Sequence, residues 1–450
     1  MKTVSLTKRF ALGGVAAVLG LLCLVSTVQA VPYASGVVRN GNTVTFILNQ
    51  DAEGLVVLRD GGNPVYPGTT AGELSFDMTG YTSYQIIVTG NTAAAWTKYI
   101  PNGYDRSFYI PLGVSIDKNP ASPNFGKVYV SNAGPGTTTG GGNFQRNTPR
   151  GIYVLRADGV DTGEFGDGGV AWGGTLGPNK SCIGPDGHLY IADTSADLCY
   201  EIDPNDLSTA VQLIDASNKT DQQYVNSIWV TGTQAGGDRK IYLVNGRYTD
   251  PRVGLIEYDL GANAAATSGD IGELIIPVAG VFKTYYGKDV SMDSNGDWYL
   301  SSYRSSANQA PPIVKFDGAG TPPLDDDVIW EANMIYAGSP DGIDINENAG
   351  IVAYAAYDNG MVRIFDMETG AFLEEFKAGN RGRDLAFDAA GNMVVVDNNI
   401  EYARFFSPGG YTEATTEWDG SQWSFTVIPE PGSLSLLALG GLALWLRRRA

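Results

Sequence analysis

Six times along the chain a short run of β-branched, aromatic and small residues returns. It reads VYVSNA from Val128, LYIADT from Leu189, IYLVNG from Ile241, WYLSSY from Trp298, VAYAAY from Val352 and MVVVDN from Met393, with starts 61, 52, 57, 54 and 41 residues apart. Each run follows a short apolar segment (113–117, 181–184, 226–230, 289–293, 342–346, 383–388) and precedes a third (152–157, 198–203, 254–259, 312–317, 362–367, 403–408). A fourth follows in most copies, from Val211, Glu273, Val328, Phe372 and Trp423. A lone meander cannot bury its apolar face, so recurrence is what makes it foldable. Four strands repeated six times predict an all-β chain and a six-bladed β-propeller over about residues 108–427, with 423–427 in the closing blade. The uneven spacing is tolerable because loop length costs entropy only logarithmically.

Composition agrees. The chain holds 58 Gly and 24 Tyr, and only 18% of its residues are charged, which suits tight turns and aromatic cross-strand pairs. No long stretch carries the 3.6-residue apolar period of a surface helix. The formal charge is -19. Setting aside Lys2, Lys8, Arg9 and Arg447, Arg448 and Arg449 leaves 24 basic residues against 49 acidic, or -25. Such a body repels nucleic acid, and no nucleic-acid partner is expected. Lys377, Arg381 and Arg383 are the nearest approach to a basic patch and read as a solvated loop.

The ends read differently from the body. Lys2, Lys8 and Arg9 precede an apolar run over 10–25 and the small-residue end Ala30, which makes 1–30 a secretory signal peptide. Residues 31–95 hold four strand candidates (43–48, 54–60, 74–78, 84–89). They read as a small β-sandwich-like module, with a seventh blade as the alternative. Residues 96–428 form the propeller. At the other end, Pro429, Glu430 and Pro431 precede fifteen mostly apolar residues (432–446) and then Arg447, Arg448 and Arg449. That short hydrophobic helix would span about 22 Å, less than a hydrocarbon core of about 30 Å. The arginines would keep its far side in the cytoplasm, with the propeller outside.

His188 is the only histidine and as a strand-edge residue reads as structural, so neither a Ser-His-Asp triad nor a multi-histidine metal site is expected. Carboxylate chemistry stays open, since 49 acids allow many pairs. No cofactor is expected. Asp158, Asp161, Glu164 and Asp167 lie in a Gly-rich segment able to wrap a Ca²⁺ ion with oxygen ligands. Asp293, Asn295 and Asp297 begin like a calcium loop but run straight into a strand, so they read as a hairpin turn; Asp325–Asp327 read as solvated. Cys182 and Cys199 fall on the first and third strands of one meander. Two strand spacings are about 9.5 Å, beyond disulfide reach, so buried thiols are expected. Contacts with partners are expected on variable loops, namely 132–149 with exposed Phe144 and Arg146, 232–239 and 303–312.

Three resemblances add to this. Residues 163–203, GEFGDGGVAWGGTLGPNKSCIGPDGHLYIADTSADLCYEID, resemble an NHL-type propeller repeat. The segment VTFILNQDAEGLVVLRDGGNPV from Val44 resembles bacterial immunoglobulin-like modules. The Pro-Glu-Pro, apolar helix and basic cluster of 429–450 resemble the PEP-CTERM sorting signal. That resemblance implies export, a transient membrane anchor, processing by an exosortase-type membrane transpeptidase, and a setting of extracellular polysaccharide. The function expected is a non-catalytic cell-surface or extracellular-matrix protein that binds a polysaccharide or protein ligand through a propeller face. The alternative is an extracellular, carboxylate-based glycan lyase or hydrolase on the same scaffold.

Overall fold

The structure, a computed structural model, describes residues 32–428 apart from 91–94, 140–143, 218–223, 247–251, 278–286, 304–310, 325–326, 333–337 and 409–412. The signal segment 1–30, the sorting segment 429–450 and Asp325 and Asp326 therefore lie outside the described residues. Among the described residues no helix is long and apolar enough to cross a membrane.

Six four-stranded antiparallel sheets follow one another along the chain. Their first strands are Pro111–Ile116, Ser181–Ile183, Val225–Thr231, Gly287–Met292, Pro340–Asn346 and Gly382–Phe387. Each of these touches the corresponding strand of the next sheet, and the sixth touches the first, so they close a ring around a central channel. The architecture is all-β and propeller-like. We number the sheets 1 to 6 in that order.

The repeated middle strands Val128–Asn132, Leu189–Asp193, Arg239–Asn245, Trp298–Ser302, Ile351–Ala356 and Met393–Asp397 are second in each sheet and almost wholly buried. They face neighbouring sheets on both sides, which explains their continuous apolar character. The turn leading into each contains a glycine in the left-handed region: Gly126, Gly187, Gly237, Gly296, Gly350 and Gly391, with φ between 66° and 90°. A side chain is strained at such angles, so this glycine is a steadier mark of the repeat than the Asp-Gly pair. In sheets 1, 4 and 6 an aspartate at the end of the inner strand (Asp117, Asp293, Asp388) accepts N–H bonds from the turn. Cys182 and Cys199 sit on the first and third strands of sheet 2 with Leu189–Asp193 between them; both are buried and neither is in a disulfide.

Ring closure differs from the expectation. The fourth strand of sheet 6 is Thr97–Lys98, paired to Tyr402–Ser407 through Phe406 with Lys98 and Ser407 with Thr97. Trp96 anchors it by stacking on Phe376 at 5.3 Å and donating its indole N–H to Glu374 at 2.8 Å. Strand Trp423–Ile428, expected in the closing blade, instead forms a hairpin with Glu413–Trp418 that pairs with Tyr84–Thr89.

That hairpin completes the amino-terminal module. A five-stranded sheet is built from Trp423–Ile428, Glu413–Trp418, Tyr84–Thr89, Gly54–Arg59 and Asn63–Val65, and a three-stranded sheet from Ala34–Asn40, Thr43–Leu48 and Gly72–Asp77. Val44, Phe46 and Leu48 from one sheet share a core with Val57, Ile86 and Val88 from the other. Without the hairpin, Tyr84–Thr89 would be an open edge, and its Tyr84 would lose the ring of Trp423 at 5.9 Å. The strand pairing thus crosses the boundary expected near residue 95. Tyr33 joins the module to the ring, packing on Phe125 at 5.8 Å and Phe425 at 5.6 Å.

A chain ending at Pro408 should lose the cooperative unfolding of this module and bind a hydrophobic dye, whereas one ending at Ile428 should unfold at the full-length temperature. Thermal unfolding with dye fluorescence checks both; identical behaviour of the two would contradict the hairpin's place.

Candidate functional site

The inner strands share a local irregularity that builds the site. In sheets 1, 3, 4, 5 and 6 the register shifts near the strand start, at 111/113, 225/227, 287/289, 340/342 and 382/384. In sheet 2, Asn179 and Lys180 both bond across to Ala192, which is the same two-against-one arrangement. A β-bulge inserts a residue and re-aims its side chain. The inserted residues are Leu112, Lys180, Asn226, Lys288, Asp341 and Arg383, one from each sheet. The last five line a cleft of about 300 Å³ at this end of the channel. Asn179 completes its polar lining, and Tyr224, Tyr303 and Tyr357 add the aromatic part. Tyr224 has φ 74°, a left-handed conformation that costs a non-glycine residue about 1 kcal/mol or more. Its N–H donates to Asp197 and its carbonyl accepts from Gly246, which hold it there.

Below the mouth, Lys180 crosses the channel. Its Nζ is 2.9 Å from Asp384 Oδ1 and 3.6 Å from Asp289 Oδ2, and it donates to the Arg383 carbonyl. Both aspartates also bind main chain of the following sheet. Asp384 Oδ2 accepts from Val114 N–H at 2.9 Å, and Asp289 Oδ2 from Ile343 N–H at 2.9 Å. Asp344 does the same for Phe387 N–H at 2.8 Å. Burial works against the Lys180 ammonium, but Asp384, Asp289 and Asp341 outweigh it and hold its pKa above the ordinary value. Burial pushes both Asp289 and Asp384 up despite Lys180, and Asp289 pushes Asp384 further.

At the mouth one carboxylate faces two more cations. Asp341 lies 2.8 Å from Arg383 Nη1 and 3.7 Å from Lys288 Nζ. Burial opposes its charge, but Arg383, Lys288 and Lys180 together hold its pKa below the ordinary range. Lys288 is pushed down by burial and by Arg383 and Lys180, against the pull of Asp341. The Arg383 and Arg381 guanidinium groups each lie 5.1 Å from the Tyr357 ring, and Lys288 lies 5.7 Å from that of Tyr303. Arg383 is thus no part of a solvated loop: its side chain is 12% exposed and faces the channel mouth. Its place as second residue of the inner strand Gly382–Phe387, equivalent to Lys288 in Gly287–Met292 and Asp341 in Pro340–Asn346, was the available signal.

The other sequence candidates are placed apart. Asp158 pairs with Arg156 at 2.6 Å, Asp161 with Arg146, and Glu164 with Lys127 at 2.9 Å, while Asp167 accepts from Gly169 N–H. Each carboxylate has its own partner, and the four are not gathered around one point. Arg146, expected to be exposed, is buried; Phe144 is exposed, and the surrounding loop carries a small hairpin, Gly136–Thr137 with Asn147–Thr148. Asp293 and Asp297 share Lys315 at 3.2 and 3.0 Å in a tight turn. Among the described residues, one set of three potential ligands lies within 4.8 Å: Asp186, His188 and Glu201. Its groups are engaged, since His188 Nδ1 lies 2.5 Å from Glu201, Glu201 accepts from buried Arg239 at 2.6 Å, and Asp186 accepts from Tyr190 at 2.6 Å.

Ring and mouth together define an all-β, propeller-like protein with a cationic, tyrosine-rimmed cleft over its central channel. No protein-family model matches the sequence, and no curated protein matches it. Similar solved structures include a gluconolactonase from Xanthomonas campestris, at 12% identity over 72% of this chain and 90% of that one, with a TM-score of 0.44. A protein of unknown function from Bacteroides thetaiotaomicron has 10% identity over 84% and 95%, with a TM-score of 0.47. A virginiamycin B lyase from Staphylococcus aureus has 13% identity over 75% and 88%, with a TM-score of 0.36.

Replacing Lys180 by Met should destabilise the protein by about 3–5 kcal/mol at neutral pH, because two buried carboxylates lose their counter-ion. Their folded-state pKa values would then lie further above the unfolded value, so the folded state binds protons more tightly. The deficit should shrink as pH falls from that raised folded pKa toward about 4. Denaturant unfolding of both proteins between pH 8 and pH 4 measures it; a pH-independent deficit would contradict this electrostatic account.

Proposed function

We propose that the protein is an exported, non-catalytic binding protein that engages a glycan through the channel mouth. The observation carrying this reading is that, among the described residues, the carboxylates in and beneath the mouth are already matched to cations: Asp341 to Arg383 and Lys288, Asp289 and Asp384 to Lys180. A glycosidase or lyase of the carboxylate type needs acids that reach the substrate bond. Asp289 and Asp384 are instead buried beneath the mouth and bonded to backbone N–H groups. The rings of Tyr224, Tyr303 and Tyr357 line the cleft, and such rings hold sugars without transforming them.

In this reading the six sheets are six propeller blades, and residues 33–89 with 413–428 form a sandwich-like module beside them. Residues 1–30 direct export. The segment 429–450 acts as a PEP-CTERM sorting signal, halting the chain at the inner membrane until an exosortase-type transpeptidase processes it. The mature protein then resides at the cell surface or in the extracellular matrix. Pro429 and Pro431 lack N–H donors and disfavour a continuing helix, which leaves Glu430 accessible.

Two measurements test the reading. A glycan array paired with product analysis on the same sugars should give binding without turnover; released product would favour the enzyme. Intact mass of the protein from its native host should lack residues 447–450, and a mature chain that keeps them would reduce the tail to an ordinary anchor.

A further inference from the structure

In sheet 2, at the end away from the mouth, we propose that Asp186, His188 and Glu201 form a binding site for a divalent transition-metal cation of the Zn²⁺ class. One potential ligand atom from each lies within 4.8 Å of the other two. The neighbouring sheets hold a cation of their own at the same place.

In sheets 2, 3 and 4 the middle strand carries a tyrosine (Tyr190, Tyr242, Tyr299) paired across to Glu201, Glu257 and Lys315 on the third strand. The residue two before the tyrosine reaches that same partner. Sheet 3 places Lys240 at 2.7 Å from Glu257, and sheet 4 places Asp297 at 3.0 Å from Lys315. In sheet 4 the Lys315 ammonium also reaches Asp293 at 3.2 Å, so one cation serves two carboxylates. Sheet 2 keeps two carboxylates, Asp186 and Glu201, but puts His188 where sheet 3 has its lysine. An imidazole is no permanent cation, and it offers a lone pair to a metal. Arg239, entering from sheet 3, matches one of the two negative charges through Glu201 Oε2 at 2.6 Å. Among the described residues no ion pair forms with Asp186. Sheet 2 therefore presents the ligands of a cation where its neighbours supply the cation itself.

The ligands are also held in place. Asp186 Oδ2 accepts the Tyr190 hydroxyl at 2.6 Å, and Glu201 Oε2 accepts from Arg239. The second oxygen of each carboxylate turns toward His188: Glu201 Oε1 lies 2.5 Å from its Nδ1, and Asp186 Oδ1 accepts its main-chain N–H at 3.1 Å. Bonds of this outer kind orient metal ligands. Gly184 leaves Asp186 room to fold back, since a Cβ there would fall 2.8 Å from Oδ1. The His188 side chain is 38% exposed, which gives an ion a path in and the imidazole freedom to turn. Metal bonds of about 2.0–2.2 Å would set Nδ1 and Oε1 roughly 3.0–3.4 Å apart, so the imidazole moves outward by somewhat under 1 Å as the ion enters. Nδ1 then binds the metal and the ring proton sits on Nε2. A mixed nitrogen and oxygen donor set suits zinc-like ions better than Ca²⁺, which takes oxygen alone.

Titration calorimetry of the chelator-treated full chain with Zn²⁺ tests the inference, with Co²⁺ absorption as a second readout. One equivalent should bind, and the unfolding temperature should rise with Zn²⁺ concentration. The Co²⁺ spectrum should lack a thiolate charge-transfer band, which sets Cys182 and Cys199 aside. Asp186→Asn should weaken binding by about tenfold or more. His188→Lys copies the Lys240–Glu257 pair of sheet 3. It should abolish Zn²⁺ binding and raise the unfolding temperature of the metal-free protein, a gain that misfolding cannot mimic. No binding by the unaltered chain, or binding unchanged in His188→Lys, would overturn the inference. Loss in His188→Lys with no effect of Asp186→Asn would overturn the three-ligand site and leave a lone surface histidine. The glycan reading of the mouth stands or falls separately from all of these outcomes.

Discussion

A single ammonium group holds the centre of the ring. Lys180 comes from sheet 2, yet its partners belong to sheet 4 (Asp289) and sheet 6 (Asp384 and the Arg383 carbonyl). Those two aspartates accept main-chain N–H groups from the sheets that follow them, so the ion cluster and the strand-to-strand contacts are one structure. Asp384 bonds to Val114 in sheet 1, which puts one of these contacts at the junction where the ring closes. Carboxylates buried this far from water would otherwise carry a desolvation cost of several kcal/mol each. The lysine offsets it, and Gly342 leaves room for the arrangement: a Cβ there would fall 2.9 Å from Lys180 Nζ and 2.3 Å from Asp384 Oδ1.

The bulges connect this core to the surface above it. Each inner strand spends one residue on the mouth before settling into the ladder, and the next residue lines the channel: Gly113, Ser181, Ser227, Asp289, Gly342 and Asp384. One irregularity, repeated six times, therefore sets one residue per sheet at the channel mouth, of which Lys180 reaches down into the internal ion pairs. The acidic body gives the cationic mouth its contrast, since most of the 49 acids lie elsewhere.

The middle strands were legible because burial on both faces leaves a continuous apolar signature in local sequence. Chain closure was not. Thr97–Lys98 is two residues long and pairs with residues some three hundred positions away, so nothing near it marks it as a strand. Residues 423–427 did read as a strand, but any strand-forming hairpin could serve either the ring or the open edge beside Tyr84; the choice was made by Trp418 and Trp423 packing on the module. The mouth residues were hidden for a related reason. Leu112, Lys180, Asn226, Lys288, Asp341 and Arg383 mix apolar, amide, basic and acidic side chains at one structural position, so no single letter runs through the six, and only the shared bulge identifies them. Arg146 was misplaced because a Gly-rich loop hides its return to Asp161 and to the rings of Phe108 and Tyr153.

Completion of the amino-terminal module by residues 413–428 has a mechanical consequence. Tyr33 packs on Phe425, and Thr416 donates its hydroxyl proton to the Ala34 carbonyl at 2.9 Å, so the two ends of the described chain lie against each other. Tension applied at residues 33 and 428 would be borne by the strands of that module, with the ring hanging outside the load path as a side loop. A body tethered at both ends, or tugged by a polymer it is bound to, would then transmit force through its clamp while its cleft keeps its shape.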